Sequence, residues 1–135
     1  MKFLFDNNQP PSWPEALDAL SAKRLPSVQE VIHLREKFNP KIADVDFLSA
    51  LGKEGNWAVI SADYFKSRKV ERLLIRQYGI GVFILNKTWS SHEFFVKTAQ
   101  LIRWWPRIVK QANEVHAGVY EVPWRDSAKF VNIQM

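Results

Sequence analysis

The 135-residue sequence predicts an α/β fold, a three-layer sandwich around a mainly parallel central sheet. Three observations lead there. The runs WAVIS (Trp57 to Ser61) and IGVFIL (Ile80 to Leu85) are apolar throughout rather than alternating, which is the pattern of strands covered on both faces. The segments between apolar runs have helical period and are long enough to serve as crossovers between parallel strands. Asn39-Pro40, Gly52 and Gly79 stand where such units would begin or end.

In chain order, Lys2 to Phe5 is a short apolar strand. Pro14 to Lys23 follows as a helix, with Ser12 as its cap and Ala16, Leu17 and Leu20 as its apolar stripe. Glu30 to Leu34, EVIHL, is rich in β formers. In ADVDFLSALGKEG, Val45, Leu48 and Leu51 recur at helical spacing, and Gly52 is placed to stop the helix. After WAVIS, residues 66 to 78 form a helix with Val70, Leu73, Leu74 and Gln77 on one face, ended by Gly79, and IGVFIL follows. A long helix runs from about Ser91 to Val115. Its Phe94, Phe95, Leu101, Ile102, Trp105, Ile108, Val109 and Ala112 recur at helical intervals, with Arg103, Arg107 and Lys110 on the opposite, solvated stripe. Pro106 inside it predicts a kink or two abutting helices. No repeat or long linker interrupts the chain, so residues 1–135 are expected to form one domain.

Composition narrows the chemistry. The chain has no cysteine, which excludes disulfides, thiolate catalysis and Cys-ligated zinc. Only Phe3, Leu4 and Phe5 separate Lys2 from Asp6, too few for a signal-peptide core, and no stretch approaches the ~18 apolar residues of a membrane helix. A soluble, cytoplasmic protein with no membrane partner is the expectation. Nineteen Lys plus Arg against fourteen Asp plus Glu give a formal charge of +5, which permits a nucleic-acid partner without demonstrating one.

The functional expectation comes from where the acids fall. Asp6 ends the first strand, and Asp63 follows WAVIS in SADYFKSR. Asp44 and Asp46 open the helix after EVIHLREKFNP. In open parallel sheets ligands bind outside the carboxyl ends of the strands, so all four acids belong to one edge. Each has a local reading: a first-turn acid for Asp44, a turn residue leaving a strand for Asp6 and Asp63. Together they repel one another, and a hard cation is the usual means of neutralising such a cluster. One or two Mg2+ or Mn2+ ions there suit phosphodiester hydrolysis, by activating a water and stabilising the leaving oxygen. No phosphate-cradling glycine loop or serine triad competes with this account, and His33, His92 and His116 are scattered, so they are read as structural. Lys66, Arg68, Lys69, Arg72 and Arg76 follow Asp63; Lys69, Arg72 and Arg76 share a face that serves equally as a solvated helix surface or a phosphate-binding one. Lys87, after IGVFIL, is placed to meet phosphate at the same edge, and Trp89 to pack locally or stack on a base.

In this order, MKFLFDNNQPP, KFNPKIADVDFLSAL, WAVISADYF, IGVFIL with LNKTW, and LIRWWPRIVKQANEVHAGVYEVPW resemble the PIN-like domain family that includes VapC-type toxins, over nearly the whole chain. The resemblance implies a Rossmann-like parallel sheet, an Mg2+- or Mn2+-dependent ribonuclease site of clustered acids, an RNA substrate, often an antitoxin partner, and often a homodimer. By position it implies Asp6, Asp44 and Asp63 as metal ligands and catalytic acids, with Asp46 supporting them. Asn7 falls where relatives often have a further polar or acidic residue, and joins Lys66, Arg68, Arg72 and Lys87 as candidate RNA contacts. Two departures leave an alternative open, a weakly active or inactive PIN-like module that binds nucleic acid or a protein. Tyr64 and Phe65 stand where many relatives have another acid, and ILNKTWSS after the third apolar run has no carboxylate. A phosphotransferase of the haloacid-dehalogenase type ranks lower, because Asn8 stands where it needs a second aspartate.

Overall fold

The computed structural model describes residues 1–65, 68–115 and 117–134. Among these residues six strands form one sheet: β1 (Lys2–Phe5), β2 (Glu30–His33), β3 (Trp57–Ser61), β4 (Gly81–Leu85), β5 (Gly118–Val122) and β6 (Val131–Ile133). Their spatial order is β2-β1-β3-β4-β5-β6. The pairs from β2 through β5 are parallel, and β6 runs antiparallel to β5. Phe5 is level with His33 on one side and Ile60 on the other, so the carboxyl ends of β1, β2 and β3 form one edge. The order reverses at β1, which opens a crevice between the segments leaving β1 and β3.

Two apolar layers cover the sheet. Successive strand residues point to opposite faces, so Phe3 and Phe5 belong to one core and Leu4 to the other. The first is closed by α1 (Ser12–Ser21) and α5 (Phe94–Glu114) through Trp13, Leu17, Trp104, Trp105 and Ile108. The second is closed by α2 (Leu34–Lys37), α3 (Asp44–Glu54) and α4 (Lys69–Tyr78) through Leu34, Phe47, Leu48, Leu51 and Ile75. The three-layer, mainly parallel α/β arrangement expected from the continuous apolar runs is therefore the one found. Among the described residues no helix is long and apolar enough to cross a membrane.

Several local expectations are corrected. Ser12 is the first residue of α1, with Pro11 in the cap position and no side-chain cap bond. Leu34 leaves the strand and begins α2, because His33 caps that helix: its Nδ1 accepts from the Arg35 N–H at 3.2 Å and its own N–H donates to Glu36 Oε2 at 2.7 Å. Gly52 does not stop α3, which continues to Glu54 with Gly55 as its cap at φ 79°. Tyr78 of α4 lies so close that a Cβ on residue 52 would stand 2.3 Å from Tyr78 Cγ, and this close approach is what calls for glycine.

Gly79, in contrast, ends α4 in the left-handed conformation as expected, at φ 63°. The buried face of α4 is turned from the expected one: Ile75 is buried, Leu74 and Tyr78 are half-buried, while Val70 and Leu73 are exposed. Helix α5 runs unbroken through Pro106. The proline lies on the exposed side, with the carbonyl that loses its partner on exposed Ile102, where water can satisfy it. Trp104, absent from the expected apolar stripe, is fully buried, whereas Phe95 is 76% exposed. Arg107 is not part of a solvated stripe. Its guanidinium lies 3.9 Å from the Trp104 ring centroid and donates to the carbonyls of Asp126 and Ala128, holding the segment that leads to β6.

β5 and β6 have no counterpart among the expected elements. Edge strand β2 is shielded from further pairing, since its Val31 N–H donates to Asp18 Oδ1 at 2.9 Å and its His33 N–H to Glu36.

Candidate functional site

Asp6 sits where β1 stops. Its N–H donates to the Ile60 carbonyl at 3.0 Å, extending the ladder by one residue and fixing the backbone from which the carboxylate projects. The side chain is mostly buried, with Oδ1 accepting from the Asn7 N–H at 2.7 Å and Oδ2 from the Ser61 hydroxyl at 2.9 Å. Ser61, the last residue of β3 and fully buried, also accepts from the Asp63 N–H at 2.9 Å. One hydroxyl thus joins the segments leaving β1 and β3. Asp63 Oδ1 accepts from the Phe65 N–H at 2.8 Å, a turn that places Phe65 at φ 54° and leaves Oδ2 directed elsewhere.

Arg68, at the cap position of α4, meets that oxygen. Its Nη1 lies 3.0 Å from Asp63 Oδ2 and also donates to Oδ2 of Asp44, the first residue of α3. Its Nε lies 3.9 Å from Glu71 Oε2, one turn on in α4. A single guanidinium therefore bridges acids from the β3–α4 segment and from α3. The Asp44 carboxyl is held above the usual aspartate range, chiefly by burial and next by the Asp6 charge; Arg68 opposes this, while Asp63 and Glu71 add to it. Asp6, Asp44, Asp63 and Glu71 thus share one electrostatic neighbourhood.

Glu71 was missed in the sequence, where it lies among five cations. Its spacing of three residues from Arg68, opening a helix, was the available signal. The remaining expected residues are placed as follows. Asp46 is exposed on the first turn of α3, and its carboxylate takes no part in the Arg68 ion pairs. Asn7 is a strut: its Nδ2 donates to the Pro40 carbonyl at 3.1 Å and its Oδ1 accepts from Arg35 Nε at 2.8 Å. Arg72 donates to the Gln134 carbonyl at 3.1 Å, tying α4 to the segment after β6. Lys66 and His116 lie outside the described residues.

Lys87 is exposed at the start of a 3-10 turn, Lys87–Ser91, beyond β4. It borders a cleft of about 350 Å³ with Asn8, Asn86, Ser90 and Lys97 on its walls; Ala62, which precedes Asp63 in the chain, also lines it, while the four acids do not. Lys97 comes from α5, and no local pattern singled it out. Trp89 is buried with its Nε1 donating to the Val122 carbonyl at 2.9 Å, so it packs locally. His33 is buried with Nε2 2.8 Å from the Gln9 carbonyl, and His92 stacks on Trp124 with ring centroids 3.6 Å apart. Tyr64 and Phe65 serve the scaffold. The Tyr64 hydroxyl donates to Glu121 at 2.5 Å, where burial and that carboxylate push the phenol above its ordinary range, and Phe65 is buried.

Among the described residues no three acidic or imidazole side chains converge, as they stand, on one metal position. The donor chemistry nevertheless suits a hard divalent cation. The groups are carboxylate oxygens, the charge of Asp6 adds to burial in disfavouring the ionised form of Asp44, and a protein cation already stands between Asp44 and Asp63.

A family model described as a PIN-like domain matches residues 1–87. That span contains β1 to β4, with Asp6, Asp44, Asp63, Arg68 and Glu71; α5, β5 and β6 lie beyond it and complete the same sheet and core. No curated protein and no solved structure matches the chain.

Proposed function

The chain belongs to the PIN-like domain family, whose members are generally nucleases, and from this we propose that the protein is a metal-dependent endoribonuclease. The observation that supports it best is the meeting of Asp44 and Asp63 on one guanidinium, with Asp6 coupled to both through charge and Ser61, at the carboxyl edge of a parallel sheet. Asp6, Asp44 and Asp63 would hold Mg2+ or Mn2+. When bound, such an ion supplies charge neutralisation at a phosphodiester and a more acidic water. Ser61 orients Asp6 by donating to Oδ2, leaving further lone pairs of that carboxylate available. Asp46, exposed at the start of α3, orients water at the rim. Lys87 and Lys97 receive the RNA backbone in the cleft that runs to Ala62, while Asn7 holds the chain segments beside it.

The toxin-type role, an antitoxin partner, a homodimer and action in the cytoplasm belong to the same proposal and are supported by the order of motifs in the sequence. Growth arrest on induced expression, relieved in Asp6→Asn, tests that role. The nuclease itself is tested by incubating purified protein with Mn2+ and structured and unstructured RNAs. Asp6→Asn is expected to lower cleavage by a hundredfold or more, on the order of the loss when a charge-stabilising group is removed. Equal cleavage by the variant removes the assigned site.

One observation favours a second reading, a binding module without catalysis. Arg68 occupies the space between Asp44 and Asp63, and the two residues after Asp63 are neutral and committed to the scaffold. In that case the protein binds no Mn2+ at millimolar concentration.

A further inference from the structure

Resting on the assignment of the acids as a divalent-cation site, we infer that Arg68 is a built-in, displaceable counter-ion: its guanidinium holds Asp44 and Asp63 in the metal-free protein, and cation loading moves it to Glu71. The Oδ2 atoms of Asp44 and Asp63 engage Arg68 Nη1, so a divalent ion held by these carboxylates would compete with the guanidinium for them. Displacement is within reach because the guanidinium is not locked in place. The Arg68 side chain is 47% exposed and the residue has non-helical backbone at the α4 cap, with φ −112° and ψ 84°. Both aspartates are half-buried but are reached through Nη1 alone rather than through a two-nitrogen fork, and partly solvated pairs of this kind are individually modest.

Glu71 supplies the second position. Its side chain is only 13% exposed, it lies three residues along the same helix, and Arg68 Nε is already 3.9 Å from its Oε2. A short swing of one side chain then exchanges two carboxylates for one. Charge favours the exchange: Asp44, Asp63 and Glu71 all engage Arg68 and the Asp6 charge acts on Asp44, and a divalent ion offsets such a cluster better than a monovalent one. Arg68 thereby keeps the acids together before metal arrives and reduces the affinity with which it is taken up.

The test measures cation binding rather than turnover. The whole protein, Arg68→Gln and Asp44→Asn are titrated with Mn2+, following free Mn2+ by electron paramagnetic resonance. In unmodified protein, the Arg68 Nε–Hε NMR signal, assigned by its loss in Arg68→Gln, is followed during Mg2+ titration. Arg68→Gln is expected to bind Mn2+ about tenfold more tightly, as for removal of one or two partly solvated competing pairs. The Arg68 signal is expected to shift with the same midpoint as Mg2+ binding. Equal or weaker Mn2+ binding by Arg68→Gln, with binding lost in Asp44→Asn, overturns the counter-ion role and leaves the cation site standing. A static Arg68 signal during saturable Mg2+ binding overturns it as well, without relying on any variant's folding. Absence of binding in both the unmodified protein and Arg68→Gln overturns the cation site and the inference together.

Discussion

Gly52→Ala sets helix propensity against packing, and the two give opposite signs. Alanine in a helix interior is favoured over glycine by about 1 kcal/mol, so propensity alone makes the substitution stabilising. At residue 52, however, the added Cβ would stand 2.3 Å from Tyr78 Cγ, 2.5 Å from Cδ2 and 2.7 Å from Cβ. The obstructing atoms lie at the root of the tyrosine, so a new ring rotamer does not remove the contact with Tyr78 Cβ. Helix α3 has to move from α4, whose end is set by Gly79 in the left-handed conformation and by buried Ile80 directly behind it. Overpacking of this kind costs about 1–3 kcal/mol, or more when backbone must shift. Taking the upper part of that range and subtracting the propensity gain leaves a net loss of about 1–2 kcal/mol. For a chain of this length, unfolding entropy near 2.1 cal/mol/K per residue converts that to a fall in Tm of about 4–7 °C. Thermal unfolding followed by circular dichroism reads it, with Lys53→Ala, at an exposed neighbouring position, as the control expected to lie within about 0.5 kcal/mol of the parent. Tyr78→Ala removes the Cγ and Cδ2 contacts and leaves only the Cβ contact at 2.7 Å, so the double variant is expected to show partial favourable coupling. Gly52→Ala as stable as the parent, or more so, would refute the packing account of this glycine.

Asp44→Asn is expected to stabilise the metal-free protein at pH 7. The folded-state carboxyl titrates above its unfolded value, so folding favours its protonated form. The penalty for charging it is absent below the ordinary aspartate range and complete once pH has risen past the raised native value. Urea denaturation at pH 3.5 and pH 7 should therefore show the gain of the variant only at the higher pH; a gain at both, or at neither, is the contrary outcome. Arg107→Met keeps an apolar stem over Trp104 but removes two donors to the Asp126 and Ala128 carbonyls. Its expected cost is about 2 kcal/mol, with amide-exchange protection lost first in residues 125–133; unchanged protection there would show that the segment is held by other contacts.

The strands β1, β3 and β4 are legible almost to the residue because a strand buried on both faces has to be apolar at every position. Once they are placed, the rule for parallel sheets converts strand ends into locations, which is why Asp6, Asp44 and Asp63 are found at one edge. β5 is less legible: GVYEV has a glutamate within it, and its partner β4 is more than thirty residues away. Its Glu121 receives Tyr64, so the polar residue that obscures the strand is one the tertiary structure uses.

Helix faces follow the same division. Period identifies α4 and α5, yet their orientation comes from what they pack against, and Val70, Leu73 and Phe95 remain outside while Trp104 goes in. Gly52 shows the limit plainly. As a sequence symbol it is a helix breaker, and only the approach of Tyr78, twenty-six residues later, makes it the residue an uninterrupted helix needs there. Arg68 is the functional counterpart. Sequence alone determines that a cation follows Asp63 and that acids open α3. That one guanidinium stands between Asp44 and Asp63, with Glu71 beside it, is decided by how α3 and α4 meet on the sheet, since charge acts through distance in space and not along the chain.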